Sequence, residues 1–358
     1  MICAHFGACG GCASQDVPYP DQVAAKEAAL AALFERAVPV RPSPQPLHYR
    51  TRMDYVYAWG KLGMRKKGDP RGVLDLDECH LIEPRAFDAV LKSKEAIKRH
   101  DLRSYSYISK KGYLRYVSVR SAPVNGELML IFLTNGAAPD VVPLLDEAAE
   151  WADSVVWSVS DRRADVSLGD VKEHRRRDWI EERVGPVTLR FGPNSFFQGN
   201  PWQTEAVYAH VAERVRGDVI DVCCGVGGFA LSIAARAPGV SITGVDNNAE
   251  AIAFAQGNAE RNGQSHVRFE TADASAFLAD HAADTLVLDP PRKGLGFSAV
   301  KKITTAAPER VIYVSCAPAT LALELQRFTN YEVADIQGFD LFPQTPHVEV
   351  VATLLRRD

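Results

Sequence analysis

The residues best suited to bond chemistry are Cys316 and Glu349. "RVIYVSCAPATL" runs a strand-like apolar segment into Cys316, and "LFPQTPHVEVVATLL" sets Glu349 near the start of another apolar run. A thiolate that adds to C6 of a pyrimidine makes C5 an enolate carbon able to attack a methyl donor, so one difficult step becomes two. The adduct keeps its C5 proton, which a general base must take before the sulfur can leave. Each residue also has a plainer reading. Cysteine is often just a small buried hydrophobe, and a strand glutamate often faces solvent. A second group of thiols, Cys3, Cys9 and Cys12 with Cys79 in "DECHLIEP", has the residue type that holds zinc or an iron-sulfur cluster. Three ligands close together plus a distant fourth fit a cubane cluster better than the paired CxxC arrangement usual for zinc.

The elements that must place Cys316 begin near Gly217. From there short apolar runs, "DVIDVCC", "SITGVD", "VRFETAD", "DTLVLD" and "RVIYVSC", alternate with helical patterns. This predicts a parallel sheet covered on both faces, with ligands at the carboxyl ends of its strands. After the first run, Gly225, Gly227 and Gly228 let the backbone approach a ligand, and Asp246 ends the second run where a carboxylate can accept both ribose hydroxyls. An NAD site shares these features. The GxGG spacing in place of GxGxxG, although Ala230 is a permitted variant of the last glycine, and the extra carboxylate Asp273 favour S-adenosylmethionine. Asp273 reads equally well as a helix cap before "SAFLAD". Asp289 ends the fourth run in "LVLDPPRKG", where two prolines make a rigid turn that can aim it into the crevice. Arg292 stands after those prolines, where amino-methylating enzymes carry an aromatic residue, and this disfavours amino-group methylation.

The rest of the chain supports two or three domains. Its 358 residues, 46% hydrophobic and 24% charged, have the balance of a soluble globular protein. "MICAHFGACGGC" lacks the marks of a signal peptide and no 18-residue apolar run occurs, so a cytoplasmic protein with no membrane role is expected. Residues 21–37 read as a helix, four prolines from Pro39 to Pro46 as a connector, and residues 49–189 as mostly short strands, including a hairpin around Asn125-Gly126. The net charge of -4 is unevenly spread: Arg50 to Arg120 holds 17 Lys+Arg against 9 Asp+Glu. Within it, "KLGMRKKGDPR" and "RSYSYISKKGYLR" interleave cations with tyrosines, as phosphate pairing and base stacking require. A solvated charged face, with Tyr113 and Tyr116 in the core, is the competing reading. "KEHRRRDWIEER" is a further candidate for phosphate contacts, although its acids nearly cancel its bases.

The ordered motifs "NSFFQGN", "DVCCGVGGF", "LDPPRKG", "VSCAPATL" and "LFPQTPHVEV" resemble those of the RNA uracil-C5 methyltransferases over essentially the whole chain. The resemblance implies an α/β fold: a Rossmann-like class I S-adenosylmethionine-dependent methyltransferase domain at 191–358, a β-rich central RNA-binding domain at 48–190, and an N-terminal cluster-binding segment with its helix at 1–47. It implies Cys316 as nucleophile and Glu349 as base in forming 5-methyluridine. It puts the donor at Gln198, Cys223, Gly228, Asp246, Asp273 and Asp289, with Gly225 in the turn. Some members hold a [4Fe-4S] cluster, which assigns Cys3, Cys9, Cys12 and Cys79 to one, with the fourth ligand from the central domain.

The chain departs from the family pattern at Ala317, where asparagine is common, at Gln344, where histidine is, and at Cys223, where an aromatic residue is. The short form is most similar to members acting on uracil 747 of 23S ribosomal RNA. Ribosomal RNA is therefore the expected partner, with the transfer-RNA T-loop second and a non-catalytic RNA-binding protein as the reading from another class. A monomer is expected.

Overall fold

The alternation after Gly217 folds into an eight-stranded sheet. The computed structural model describes residues 2–106, 109–137, 139–162 and 164–357. The chain divides into two compact units. One comprises the chain up to Asp16, Gln45–Glu182 and Phe191–Asn194; the other comprises Val17–Pro44, Arg183–Arg190 and the chain from Ser195 onward.

In the second unit the strand order is Val40–Arg41, Tyr331–Phe339, Glu349–Arg356, Arg310–Ser315, Thr285–Leu288, Val219–Val222, Ile242–Asp246, Arg268–Thr271. The last five are parallel to one another. Val219–Val222 and Arg310–Ser315 carry almost only buried residues, as strands covered on both faces must. The chain leaves Val219–Val222 to one side for Ile242–Asp246, then returns to the other for Thr285–Leu288. That reversal is where α/β sheets open a crevice. Glu349–Arg356 runs antiparallel to both neighbours. The Tyr331–Phe339 strand was not foreseen: its alternating burial, with exposed Glu332 and half-buried Asp335, masks its apolar content.

The helix Tyr19–Phe34 belongs to this unit, so the stretch 1–47, read from the sequence as one segment, divides after Asp16. Its buried residues are Gln22, Lys26 and Leu30, one face at i, i+4, i+8, with two polar members that each find a partner.

The first unit is built on a seven-stranded sheet in the order Asp69–Asp75, Lys61–Lys66, Arg52–Ala58, Leu114–Ala122, Glu127–Thr134, Ser154–Val159, Asp170–Arg175. Asn125 and Gly126 lie in the turn of the Leu114–Thr134 hairpin, and the register pairs Ala122 with Glu127. The helix Pro84–Arg99 buries Ala86, Phe87, Ala89, Val90, Ala96 and Ile97 in the core that also holds Val117, Val119, Leu130 and Phe132. Arg115 is buried too, and its guanidinium donates to the carbonyls of Ser160, Arg162 and Ala164 at 2.6–3.1 Å. Buried cations persist only with such partners.

The N-terminal segment joins the end of the Lys61–Lys66 strand through a Cys9–Lys66 bridge and the bonds Gly10 N–H to Arg65 O (3.2 Å) and Lys67 N–H to Ala8 O (2.9 Å). Among the described residues, no helix is long and apolar enough to cross a membrane.

Candidate active site

The glycine turn after Val222 starts the helix Gly228–Arg236 and forms one wall of a small cleft. Gln198, Cys223, Gly225, Gly228 and Asp289 all line it. Gly225 has φ of 53°, and a Cβ there would stand in open space. At Gly228 a Cβ would lie 2.1 Å from the Tyr208 hydroxyl, so only glycine lets that ring pack under the turn. Asp246 borders the cavity: its Oδ2 accepts the Gly225 N–H at 3.0 Å and its Oδ1 the Asn248 N–H at 2.9 Å. Asp273 stands apart as the exposed N-cap of Ala274–Asp280, accepting the Ala276 N–H at 3.0 Å, which is its helix-cap reading.

Sequence reasoning gave no role to Asp221. It is fully buried; one oxygen accepts the Ala230 N–H at 3.0 Å, while Oδ1 has no partner. Burial pushes this carboxyl well above the usual range, and Asp289 and Asp246 add to the effect. An orphaned acceptor beside an open glycine turn suits a ligand with N–H donors and a cationic centre, and S-adenosylmethionine has both.

Direction explains how Glu349 reaches this edge. In a parallel sheet the first residue of a strand lies at the amino edge, away from the ligand crevice. Because Glu349–Arg356 runs antiparallel to Arg310–Ser315, with Ser315 opposite Val350, its first residue comes level with Cys316, one step past the neighbouring strand's end. Glu349 is 2% exposed and Cys316 half-buried. Burial, and next the Asp289 charge, push Glu349 well above the carboxylate range, with Arg292 opposing. Burial, and next Glu349, push the Cys316 thiol up, again with Arg292 opposing. Asp289 is raised to about 7 by burial, partly offset by the Gln198 amide, which donates to it at 3.2 Å.

Two supports lie outside the sequence reading. Buried Glu324 accepts from the Leu295 and Gly296 N–H groups (3.2 and 2.8 Å) and from the Tyr313 hydroxyl (2.5 Å), which ties the far end of the Asp289–Arg292 loop to the helix after Cys316. Gln22 and Gln344 exchange two hydrogen bonds, Nε2 to Oε1 at 2.9 Å and Gln344 N–H to Gln22 Oε1 at 3.0 Å. Lys26 pairs with Asp340 at 2.6 Å and donates to the Phe342 carbonyl at 3.2 Å. Both hold the loop that leads into Glu349. Gln344, one of the departures from the family pattern, has φ of 66° and is therefore fixed in a strained turn by this clamp.

In the other unit, Cys3, Cys9, Cys12 and Cys79 line a single cavity walled by Met53, Met64 and Leu76 among others. Burial, helped by Glu78 and Cys79, pushes Cys3 up to about 11, and burial, helped by Cys79, Cys9 and Cys3, pushes Cys12 up to about 12. The Gly11 N–H and the Gln15 amide donate to the sulfurs of Cys9 and Cys12, each at 3.4 Å. Among the described residues no three such side chains already stand in metal-ligating geometry.

The basic segments are only partly free for a partner. Tyr116 is buried with its hydroxyl on Asp165 at 2.5 Å, Arg65 pairs with the same carboxylate, and Arg175 and Arg177 pair with Glu173 and Glu127. Lys61, Lys66, Lys67, Arg71, Arg103, Lys110 and Lys111 are exposed. Tyr107 and Ile108 of the second segment lie outside the described residues.

The profile of the tRNA (uracil-5-)-methyltransferase family matches residues 176–357. The tRNA (uracil(54)-C(5))-methyltransferase of Pyrococcus furiosus is 34% identical over 99% of this chain and 85% of its own. The chain belongs to this family. It is an S-adenosylmethionine-dependent RNA uracil-C5 methyltransferase with the α/β methyltransferase fold. An uncharacterised RNA methyltransferase of Halalkalibacterium halodurans is 33% identical over 98% of this chain and 82% of its own. The crystal structure of the Pyrococcus abyssi tRNA (uracil-54, C5)-methyltransferase in complex with S-adenosyl-L-homocysteine superposes with a TM-score of 0.86 at 33% identity, over 98% of this chain and 86% of that one.

Proposed function

We propose that this enzyme methylates C5 of the T-loop uracil of transfer RNA through a covalent adduct between Cys316 and C6. The observation that carries the mechanism is the antiparallel register that brings Glu349 level with Cys316 beside Asp289. The transfer-RNA substrate is supported by the Pyrococcus relatives, whose names specify uracil 54 of tRNA. Ribosomal RNA, the substrate expected from the sequence, has no such support among these relatives.

Gln198, Cys223, Gly225, Gly228, Asp246 and Asp289 would hold S-adenosylmethionine, with Asp221 beneath the turn and Asp273 at the far rim. When bound, it supplies an electrophilic methyl group. The Cys316 thiolate forms the S–C6 bond and the C5–C6 π electrons move onto C5 and O4; C5 then takes the methyl group. Glu349 accepts the C5 proton, the electrons of the C5–H bond restore the double bond, and the S–C6 bond breaks. Arg292 opposes the burial of both groups and so favours their reactive anionic forms. The uracil must first leave its stack, at a cost of roughly a few kcal/mol.

The four thiols of the other unit would hold a [4Fe-4S] cluster, supported by their shared cavity and by the N–H donors on two of the sulfurs. Protein purified anaerobically should be brown and contain iron and sulfide; colourless protein with stoichiometric zinc and no iron would sink this assignment. The substrate is tested by incubating the enzyme with unmodified tRNA and 23S ribosomal RNA transcripts and mapping 5-methyluridine. Methylation of the ribosomal transcript alone would overturn the transfer-RNA reading.

A further inference from the structure

Trp59 is 71% exposed, in the two-residue turn between strands Arg52–Ala58 and Lys61–Lys66. The register pairs Ala58 with Lys61, leaving Trp59 (φ 52°) and Gly60 (φ 73°) as the turn's two central residues. Positive φ at both positions is the pattern of the hairpin turn that prefers Asn-Gly, and a bulky side chain there is an outlier. Holding a non-glycine residue in this region strains the backbone. An indole there gains nothing from burial, so neither packing nor turn chemistry accounts for it.

Its neighbours are cationic. The Trp59 N–H donates to Ser104 Oγ at 3.3 Å, next to Arg103 in sequence. Ser104 forms an isolated bridge with Leu114, and two hydrogen bonds, Ser106 N–H to Lys111 O and Lys110 N–H to Ser106 O, each 2.8 Å, hold Lys110 and Lys111 against Ser106. Lys61, Arg103, Lys110 and Lys111 are all exposed, and none makes an ion pair among the described residues. An exposed ring among unpaired cations has the composition of a single-stranded RNA contact, in which bases stack on aromatic faces while cations follow the phosphates.

We propose that Trp59 is a stacking platform for an unpaired base of the RNA substrate, with Lys61, Arg103, Lys110 and Lys111 contacting the flanking phosphates. The inference rests on RNA being the substrate class and is independent of which RNA is methylated. The strained turn supplies the test. Trp59→Asn places a residue that this turn favours, so thermal stability stays the same or rises, while the affinity for an unmodified T-arm RNA hairpin and for a uridine dodecamer falls roughly tenfold, the scale of one lost stack. Trp59→Phe keeps most of the affinity but removes the tryptophan quenching that RNA causes.

Wild-type affinity in Trp59→Asn overturns the proposal and leaves the turn to a protein contact. Affinity and stability falling together also overturn it, because the ring would then be structural. A wild-type enzyme that methylates no tRNA transcript defeats the substrate reading instead, and the dodecamer binding still decides the role of Trp59.

Discussion

The two sulfur sites invite comparison. Cys3, Cys9 and Cys12 in one unit and Cys316 in the other are all raised first by burial, yet the surroundings differ. Around Cys12 the remaining sources of repulsion are other sulfurs, Cys79, Cys9 and Cys3, with only Arg50 opposing. Around Cys316 they are carboxylates, Glu349 and Asp289, opposed by Arg292. A nest of sulfurs that repel one another is relieved only by a cation that all of them share. A thiol beside a carboxylate and a guanidinium has instead a base and a counter-charge, and lacks only an electrophilic carbon. The first arrangement suits a resident group, the second a passing substrate.

The comparison breaks hardest at Cys316. Cys316→Ala should lower methyl transfer on the order of 10⁴-fold or more, as removing a nucleophile does, while RNA binding in a filter assay is kept. Full activity in that variant would rule out the covalent route. Glu349→Gln should slow turnover by roughly 10²–10⁴-fold, the usual worth of a general base. Because addition and methyl transfer precede the lost step, a methylated protein–RNA adduct should accumulate as a retarded band on a denaturing gel; its absence would move the base elsewhere.

Cys12→Ser, by contrast, should empty the other site. Iron content falls, and proteolysis of the unit that carries residues 45–182 quickens, because metal binding there is folding free energy. S-adenosylmethionine binding, measured by calorimetry, should persist, since its residues and core belong to the other unit. Loss of both together would erase the distinction drawn here.

The two sites were also unequally legible in the sequence. That Cys3, Cys9, Cys12 and Cys79 gather at one cavity could be read from residue type and spacing, since a shared lining needs only convergence. The cofactor turn and the strand ends could be read because glycines and terminal carboxylates leave local marks. The relation of Cys316 to Glu349 left no such mark: it depends on the last strand running antiparallel, which depends in turn on Tyr331–Phe339 standing between it and the sheet edge. That strand's mixed exposure hid it. Gln22 and Lys26 were invisible for a related reason. They sit in a helix of good helix formers whose partners lie more than 300 residues away, and polar side chains on a helix face ordinarily signal solvent. Arg115 misled in the opposite direction, as a cation that serves the core, whereas Tyr116 takes the core position that its strand spacing allowed.

The pH profile sharpens the contrast further. The Cys316 thiol is raised above its ordinary value, so the thiolate fraction and the rate of adduct formation should climb as pH rises from neutral into the alkaline range. Arg292 opposes that rise, and Arg292→Met should displace the climb to higher pH, with a slower rate at neutral pH recovered in more alkaline buffer. A profile that Arg292→Met leaves in place would remove the guanidinium from the electrostatics of the site.

The smallest effect expected is at the clamp. Gln22→Leu removes both amide hydrogen bonds to Gln344, each worth about 1 kcal/mol, and frees a left-handed residue five positions before Glu349. The loop should then sample positions in which Glu349 sits too far from the adduct, and a displacement of that kind slows chemistry more than binding. The expected result is a several-fold lower kcat with KM for RNA unchanged, and a faint standing population of the adduct that Glu349→Gln accumulates fully. A purely structural role for the amide pair would lower the thermal midpoint without that adduct. The two outcomes separate because only slow proton removal leaves the RNA covalently attached.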